Sequence, residues 1–123
     1  MKHIAKIQCE FLRISKSLDV DKLKKKGKPT IFLGGFTKNN DWREQIIKEF
    51  LNKFSFLDPY DKNWKAEDNI YDECYALLNA DYVVFFKGGE LTKKEKELLE
   101  KSNKEYRSFD TVEELKNYLK QIN

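Results

Sequence analysis

The sequence predicts an α/β fold in which one parallel β-sheet is covered by helices on both faces. Three observations carry this prediction. Short apolar runs, typical of buried parallel strands, alternate with longer segments whose apolar residues recur at helical spacing. Glycine pairs follow two of these apolar runs. The chain of 123 residues is long enough for one domain with its own core.

An N-terminal amphipathic helix is predicted over about residues 3–18, before the first strand. Its apolar residues follow helical spacing: Ile4, Ile7, Phe11, Ile14 and Leu18. The lysines between residues 22 and 28 then indicate a solvated connector or, alternatively, an arm that contacts phosphate. The chain therefore divides into a helix with its connector, residues 1–28, and an α/β domain, residues 29–123.

The first strand of the domain is predicted over residues 30–33, which are β-branched or apolar. Pro29 before it suits a strand entry, and Gly34-Gly35 after it ends the apolar run. A helix is predicted next, over about residues 41–54. Its expected inward-facing residues are Ile46, Ile47, Phe50, Leu51 and Phe54.

A short second strand, Phe56-Leu57, leads into a loop over residues 59–67. The second helix is predicted over about residues 67–79. Its inward stripe is Ile70, Cys74, Leu77 and Leu78. Residues 82–86 give the strongest strand signal in the chain. Asp81, just before them, is interpreted as structural because it lies at the opposite end of the sheet from the glycine pairs.

The third helix is predicted over about residues 92–104. Its inward positions are Leu91, Glu95, Leu98, Leu99 and Ser102. A fourth strand over residues 106–109 and a last helix through about residue 120 complete the domain. We expect Asp110 or Thr111 to cap that last helix. Its inward residues are Val112, Leu115, Tyr118 and Leu119.

Right-handed crossovers give these elements a flavodoxin-like (Rossmann-like) doubly wound sheet of four to five strands, with the strand order 2-1-3-4. Gly34-Gly35 and Gly88-Gly89 follow the first and third strands, which are neighbours in that order. Both glycine pairs then face one crevice at the carboxyl edge of the sheet, where open α/β sheets bind ligands. We therefore expect a small-molecule site between them.

Composition argues against several kinds of site and partner. His3 is the only histidine, and Cys9 and Cys74 lack metal-ligand spacing, so a zinc site and histidine-based catalysis are close to excluded. We expect neither a metal nor a cofactor. The net charge is only +3, which argues against a nucleic-acid partner. Neither a signal peptide nor an apolar run of the roughly 20 residues that span a bilayer is visible. We expect a cytoplasmic protein with reduced cysteines and no membrane partner.

Several residues near the predicted crevice are candidates for binding a ligand. Gly34 and Gly35 would let a ligand approach the backbone, although a tight turn with positive φ explains them equally well. Arg43 lies at a helix start, where a phosphate would explain a positive charge. An exposed pair with an acidic neighbour such as Asp61 or Asp68 would explain it too.

The other binding candidates also have two interpretations. Asp58 can fix the turn before Pro59 or hydrogen-bond a ribose hydroxyl. Trp42 is interpreted as packing in preference to ligand stacking. The remaining candidates for substrate binding are Phe36, Gly88, Gly89, Glu90 and Thr92.

Glu95 is the leading candidate for a catalytic carboxylate. Thr92 and Glu95 have capping-box spacing, which alone accounts for both residues. Glu95 also falls on the apolar stripe of its helix, where a partly desolvated carboxylate can act as nucleophile or acid–base group. Glu90 is a rival in the turn. Asp72 and Glu73 belong either to a solvated helix face or to the crevice.

The order of these motifs resembles the nucleoside 2-deoxyribosyltransferase-like superfamily over about residues 29–119. The matching segments are Ile31-Phe32-Leu33-Gly34-Gly35, Asp41-Trp42-Arg43-Glu44, Asp58-Pro59 with Trp64 downstream, Ala80-Asp81-Tyr82-Val83-Val84-Phe85-Phe86, and Thr92 three residues before Glu95. The resemblance implies a flavodoxin-like fold and an enzyme that cleaves the N-glycosidic bond of a nucleoside or nucleotide. In such enzymes a glutamate attacks C1′ of the sugar.

By position, the resemblance implies that Glu95 is the nucleophile and that Glu73 or Asp72 handles the base. This chain has Leu91 where the family usually has glycine, so Glu90 is an alternative match. Two further hypotheses stay open. One is a non-catalytic nucleotide-binding or sensing protein on the same fold, and the other is an interaction module that forms homo-oligomers through the N-terminal helix.

Overall fold

The computed structural model describes residues 27–35, 41–59 and 70–122. Within these ranges the elements, in chain order, are β1 (Thr30–Gly35), α1 (Asp41–Phe50), β2 (Ser55–Leu57), α2 (Ile70–Asn79), β3 (Tyr82–Phe86), α3 (Glu90–Lys101), β4 (Arg107–Phe109) and α4 (Val112–Gln121). Outside the described residues lie the predicted N-terminal helix, most of its connector, Phe36, and residues 60–69, which include most of the predicted loop and the predicted start of the second helix.

The four described strands form one parallel sheet in the order β2-β1-β3-β4. This order confirms the doubly wound α/β fold that alternation and crossover handedness predict. β1 is one of the two central strands, and its residues Thr30–Gly35 are all buried. Because β1 lies between β2 and β3, its carboxyl end is the point from which the chain winds in opposite directions.

Helices cover both faces of the sheet. On one face, α2 and α3 pack over the sheet through Phe32, Leu57, Cys74, Ala76, Leu77, Ala80, Val83, Phe85, Leu98 and Leu99. On the other face, α1 and α4 pack through Ile31, Leu33, Trp42, Ile46, Phe50, Phe54, Val84, Leu115, Leu119 and Ile122. Alternate residues of β1 and β3 therefore enter opposite cores, as expected for a central parallel strand.

The helix α1 ends at Phe50, four residues earlier than predicted. The backbone N–H groups of Lys53 and Phe54 both donate to the Phe50 carbonyl, at 3.0 and 3.1 Å, so the chain turns there. This turn leaves Leu51 48% exposed, and the prediction that it faces inward is wrong. Phe54 is still buried, because the turn directs it into the core just before β2.

The helix α3 runs from Glu90 to Lys101, so it begins and ends earlier than predicted. Gly89 is its N-cap and provides no side chain, which makes the predicted capping box of Thr92 and Glu95 wrong. Both residues lie inside the helix instead. Because the helix stops one turn early, Ser102 is exposed and does not belong to the inward stripe.

A Schellman motif explains where α3 stops. Asn103 has a positive φ of 56°, a conformation that asparagine tolerates better than most residues. Its N–H donates to the Glu100 carbonyl at 3.2 Å, and the N–H of Lys104 donates to the Leu99 carbonyl at 2.8 Å. These two bonds use helix carbonyls that would otherwise lack an intrahelical donor.

Thr111 caps α4, which decides between the two residues that the sequence leaves open. Its side-chain oxygen accepts a hydrogen bond of 3.1 Å from the N–H of Glu114. Leu115 and Leu119 of this helix are buried, as predicted.

Asp81 and Thr30 fix the start of the sheet. The Asp81 carboxylate accepts a hydrogen bond of 2.7 Å from the Thr30 N–H, and the Asp81 N–H donates to the Thr30 carbonyl at 2.9 Å. These contacts agree with the structural interpretation of Asp81.

Three lysines reach carbonyls at or near the ends of helices. The ammonium groups of Lys28, Lys53 and Lys104 donate to the carbonyls of Leu51, Leu119 and Ala80, respectively. Positive charge is favourable at helix C-termini, where carbonyls lack intrahelical partners. In the part of the chain that the structure describes, every helix is too short or too polar to cross a membrane.

Candidate functional site

The structure brings the two glycine pairs to the same edge of the sheet. β1 and β3 end side by side, with Gly34 aligned to Phe85 and Gly35 to Phe86. The chain then continues from Phe86 through Gly88 and Gly89 into α3. This carboxyl edge, between β1 and β3, is where doubly wound sheets bind ligands.

Gly34 and Gly35 are the last residues of β1 and do not form a turn after it. A Cβ atom added to Gly34 would lie 2.6 Å from the ring of Phe85. Gly35 has a φ of +111°, and its added Cβ would overlap the backbone of Phe86. Packing between β1 and β3 is therefore sufficient to explain why both residues are glycine.

Gly88 makes room for Thr92. Gly88 has a φ of +147°, and an added Cβ would overlap the Thr92 side chain, which is only 5% exposed. Gly89 differs, because an added Cβ there would have no atom within 4 Å. The first glycine of this pair is thus required by packing, whereas the second serves as the N-cap of α3.

Arg43 is fully buried, so the alternative that it is exposed is wrong. Asp61 and Asp68, suggested as its acidic neighbours, lie outside the described residues. Nε of Arg43 donates to the Leu33 carbonyl at 2.9 Å and lies 3.6 Å from Oδ1 of Asp58. Asp58, directly after β2, is buried as well. The pair connects the first turn of α1 to the ends of β1 and β2.

Trp42 packs at the same edge. Its ring lies 4.4 Å from Cζ of Arg43 and 5.1 Å from the ring of Phe86. The indole is buried, in agreement with its interpretation as a packing residue. The Arg43 guanidinium thus stacks on an aromatic ring, and its Nε faces the Leu33 carbonyl and the Asp58 carboxylate. These contacts are favourable for a buried arginine.

Glu95 lies on the buried face of α3, as predicted. The side chain is only 3% exposed, and Leu98 and Leu99 continue the same face toward the core. Thr92 precedes it by one turn on this face. The sequence therefore directs a carboxylate into the interface between α3 and the sheet, in the second turn after the Gly88-Gly89 segment.

The backbone of the other candidate carboxylate residues, Asp72, Glu73 and Glu90, lies toward the same carboxyl edge. α2 ends near Thr30, because Asp81 donates its N–H to the Thr30 carbonyl at the amino edge. Its ten residues extend about 15 Å in the other direction, so the first turn, with Asp72 and Glu73, lies toward the carboxyl edge. Glu90 is the first residue of α3.

Two pockets bordered by described residues lie at the opposite, amino edge. One of about 320 Å³ is bordered by the starts of β3 and β4 and by Tyr118 of α4. Another of about 530 Å³ is bordered by Gly27, Pro29 and Asp81. The strand and glycine pattern does not predict a site at this edge. The signal in the sequence is the pair of tyrosines at the strand starts, Tyr82 in β3 and Tyr106 just before β4.

Among residues 27–35, 41–59 and 70–122, no group of three or more histidine, cysteine or acidic residues could hold a metal ion. Cys74 is buried and is not part of a disulfide. No family model, curated protein or solved structure matches this chain.

Proposed function

We propose that this protein binds a nucleoside or nucleotide at the carboxyl edge of its sheet and cleaves or transfers the N-glycosidic bond through Glu95. The position of Glu95 is the observation that carries the proposal. Its side chain is 3% exposed, on the second turn of α3, next to the edge where doubly wound sheets bind ligands. A carboxylate shielded from water is suited to act on a sugar carbon.

In the proposed reaction, a carboxylate oxygen of Glu95 forms a bond to C1′ while the bond from C1′ to the base nitrogen breaks. The electron pair of that bond leaves with the base. Asp72 or Glu73 protonates the base as it leaves, which is the usual role of the second carboxyl group in retaining glycoside chemistry. Water, or the nitrogen of a second base, then gives a proton back to the same Asp72 or Glu73 carboxylate and bonds to C1′, while the bond from C1′ to Glu95 breaks and its electron pair returns to the Glu95 carboxylate.

Arg43 acts as a positioning residue in this proposal. Its guanidinium is fully buried and bonded to the Leu33 carbonyl, which leaves it poorly placed for a substrate phosphate. Together with Asp58 it instead holds the ends of β1 and β2 in a fixed relation. The edge that would receive the sugar is stiffened by this pair.

A second candidate function is nucleotide binding without catalysis. It is favoured by the start of α3 at Glu90, which places Thr92 and Glu95 inside the helix and not at its cap. A glutamate so deeply buried can serve packing alone. Both candidates use the same edge of the sheet, so one experiment can separate them.

The test incubates the full chain with a panel of nucleosides and nucleoside monophosphates and measures free base by chromatography. Calorimetry on the same panel measures binding. We expect base release by the wild type and a loss of about 1,000-fold or more in Glu95→Gln. Glu97→Gln is the matched control, because Glu97 is exposed on the same helix.

Each outcome is decisive. Turnover that survives in Glu95→Gln removes Glu95 from the mechanism. Binding without base release supports the non-catalytic protein and rejects the enzyme. If the wild type neither binds nor cleaves any compound in the panel, both candidates fail.

A further inference from the structure

The pocket of about 320 Å³ at the amino edge is lined largely by aromatic and charged residues. Six of the residues around it are tyrosine, acidic or arginine: Tyr82, Tyr106, Tyr118, Asp81, Glu105 and Arg107. The pairing of β3 with β4 begins at Val84 and Arg107, so the pocket lies where the two chain segments have separated. It is separate from the carboxyl edge used in the proposed function.

Aromatic surface and positive charge meet on one side of this pocket. Arg107 is aligned with Val84, two residues after Tyr82, so Tyr82 and Arg107 lie on the same face of the sheet. Cζ of Arg107 lies 5.4 Å from the centre of the Tyr118 ring. Tyr106 borders the pocket from the opposite face of the sheet, where its ring packs against Phe85 and its hydroxyl donates to Glu100.

Negative charge borders the same pocket. Burial raises the pKa of the Tyr118 phenol, Arg107 lowers it, and Tyr82 and Glu105 raise it, so these three groups lie near Tyr118. Asp81 lies on the β1 side of the pocket, where one carboxylate oxygen accepts the Thr30 N–H. The lining thus carries charges of both signs.

We propose that this pocket binds a small zwitterion of the amino-acid class. The guanidinium of Arg107 and the phenol hydroxyls of Tyr82 and Tyr118 donate to the ligand carboxylate, and the carboxylates of Glu105 and Asp81 accept from its ammonium group. The rings of Tyr82 and Tyr118, which lie on the same face of the sheet, contact an apolar side chain. A volume of about 320 Å³ is near the lower limit of ligand pockets and suits a molecule of this size.

The charge pattern argues against ligands of a single sign. A simple anion would be repelled by Asp81 and Glu105, and a simple cation would be repelled by Arg107. A zwitterion satisfies both sets of groups at once.

The test uses the full chain labelled with ¹⁵N and follows amide chemical shifts during titration with L-leucine, L-phenylalanine and L-tyrosine. Two analogues of phenylalanine serve as comparisons: 3-phenylpropionate lacks the ammonium group, and 2-phenylethylamine lacks the carboxylate. We expect saturable shifts centred on Tyr82, Glu105 and Arg107 for at least one amino acid. Each analogue should bind about tenfold more weakly or worse.

Two exposed variants give a crossed result that a nonspecific contact would not give. Arg107→Gln should weaken amino-acid binding about tenfold and leave 2-phenylethylamine unaffected or tighter. Glu105→Gln should weaken amino-acid binding and leave 3-phenylpropionate unaffected or tighter. Lys48→Gln on α1 removes the same unit charge outside the pocket and should bind as the wild type does.

Three results would overturn the proposal. The first is no saturable shift with any of the three amino acids up to about 20 mM. The second is equal affinity for an amino acid and its single-charge analogues. The third is shifts confined to the carboxyl edge around Gly34 and Gly88.

Discussion

Nε of Arg43 lies 3.6 Å from Oδ1 of Asp58, and both side chains are buried. This ion pair explains why a charged side chain is buried at each of the two positions. The sequence around either residue does not suggest it. Arg43 belongs to the first turn of α1, and Asp58 follows β2, so the pair links segments that are distant in the chain. Its removal tests how much the carboxyl edge depends on it.

Arg43→Gln should lower the free energy of unfolding by about 3 kcal/mol or more, because it leaves the Asp58 carboxylate buried without its cation. Asp58→Asn should have a similar effect. Urea denaturation measures both changes, and the double variant Arg43→Met with Asp58→Leu should recover part of the loss. A loss below about 0.5 kcal/mol in both single variants would contradict this account.

Gly34→Ala should destabilise the protein by about 1–3 kcal/mol, because the new methyl group would overlap the ring of Phe85. Gly89→Ala is the matched comparison at the same edge and should cost less than about 1 kcal/mol, since space is open there and only the helix N-cap preference is lost. Thermal unfolding of the two variants checks the order. Equal losses would show that sheet packing does not require Gly34.

Thr111→Ala should lower stability by about 1 kcal/mol, because the N–H of Glu114 loses its acceptor. Asp110→Ala changes the adjacent candidate cap and should have a smaller effect. Chemical denaturation of both variants distinguishes the two residues. A larger loss of stability in Asp110→Ala than in Thr111→Ala would show that Asp110, and not Thr111, caps α4.

The phenol of Tyr118 should ionise at a higher pH than a free tyrosine, whose pKa is 10.0, mainly because it is partly buried. A raised pKa in the folded state means that the folded protein binds more protons than the unfolded chain above pH 10. The contribution of Tyr118 to stability is therefore complete below that pH and is lost as the pH rises through its folded pKa. Tyr118→Phe should remove this contribution.

Ultraviolet absorbance of tyrosinate, compared between the wild type and Tyr118→Phe, measures the ionisation. Denaturation of both proteins at several pH values above 9 measures the effect on stability. Tyr106→Phe is a useful comparison, because the pKa of Tyr106 is also raised, mainly by its hydrogen bond to Glu100. A Tyr118 pKa at or below the ordinary tyrosine value of 10.0 would contradict the effect expected from its burial.

The fold was predictable because its signals are local or follow from handedness. β1 and β3 appear as apolar runs, the helices appear as periodic stripes, and right-handed crossovers then leave the order β2-β1-β3-β4 as the natural arrangement. The start of α3 was not predictable in this way. Gly88 has a backbone conformation that lets the chain enter the helix two residues earlier, without a capping side chain.

The candidate site was predictable only in its location. Topology places the two glycine pairs at one edge, and periodicity places Glu95 on the inner face of its helix. The pairing of Arg43 with Asp58 depends on tertiary packing that no spacing in the sequence encodes. The amino-edge pocket depends on where β3 and β4 separate, which is likewise a property of the folded chain.

Four features stay predictions. They are the nucleoside or nucleotide partner, the cytoplasmic location, the division of the chain at residue 28, and a homo-oligomer formed through the N-terminal helix. Solution mass of the full chain and of a form lacking residues 1–18 would test the homo-oligomer.

The lysines that meet carbonyls near helix ends also change how the basic character of this chain is understood. Lys28, Lys53 and Lys104 act as cross-links between segments 23, 66 and 24 residues apart. Acetylation would remove their charge and release these contacts, whereas reductive methylation would keep the charge. Part of the positive charge on this protein therefore serves its own fold, by holding segments together that are far apart in the chain.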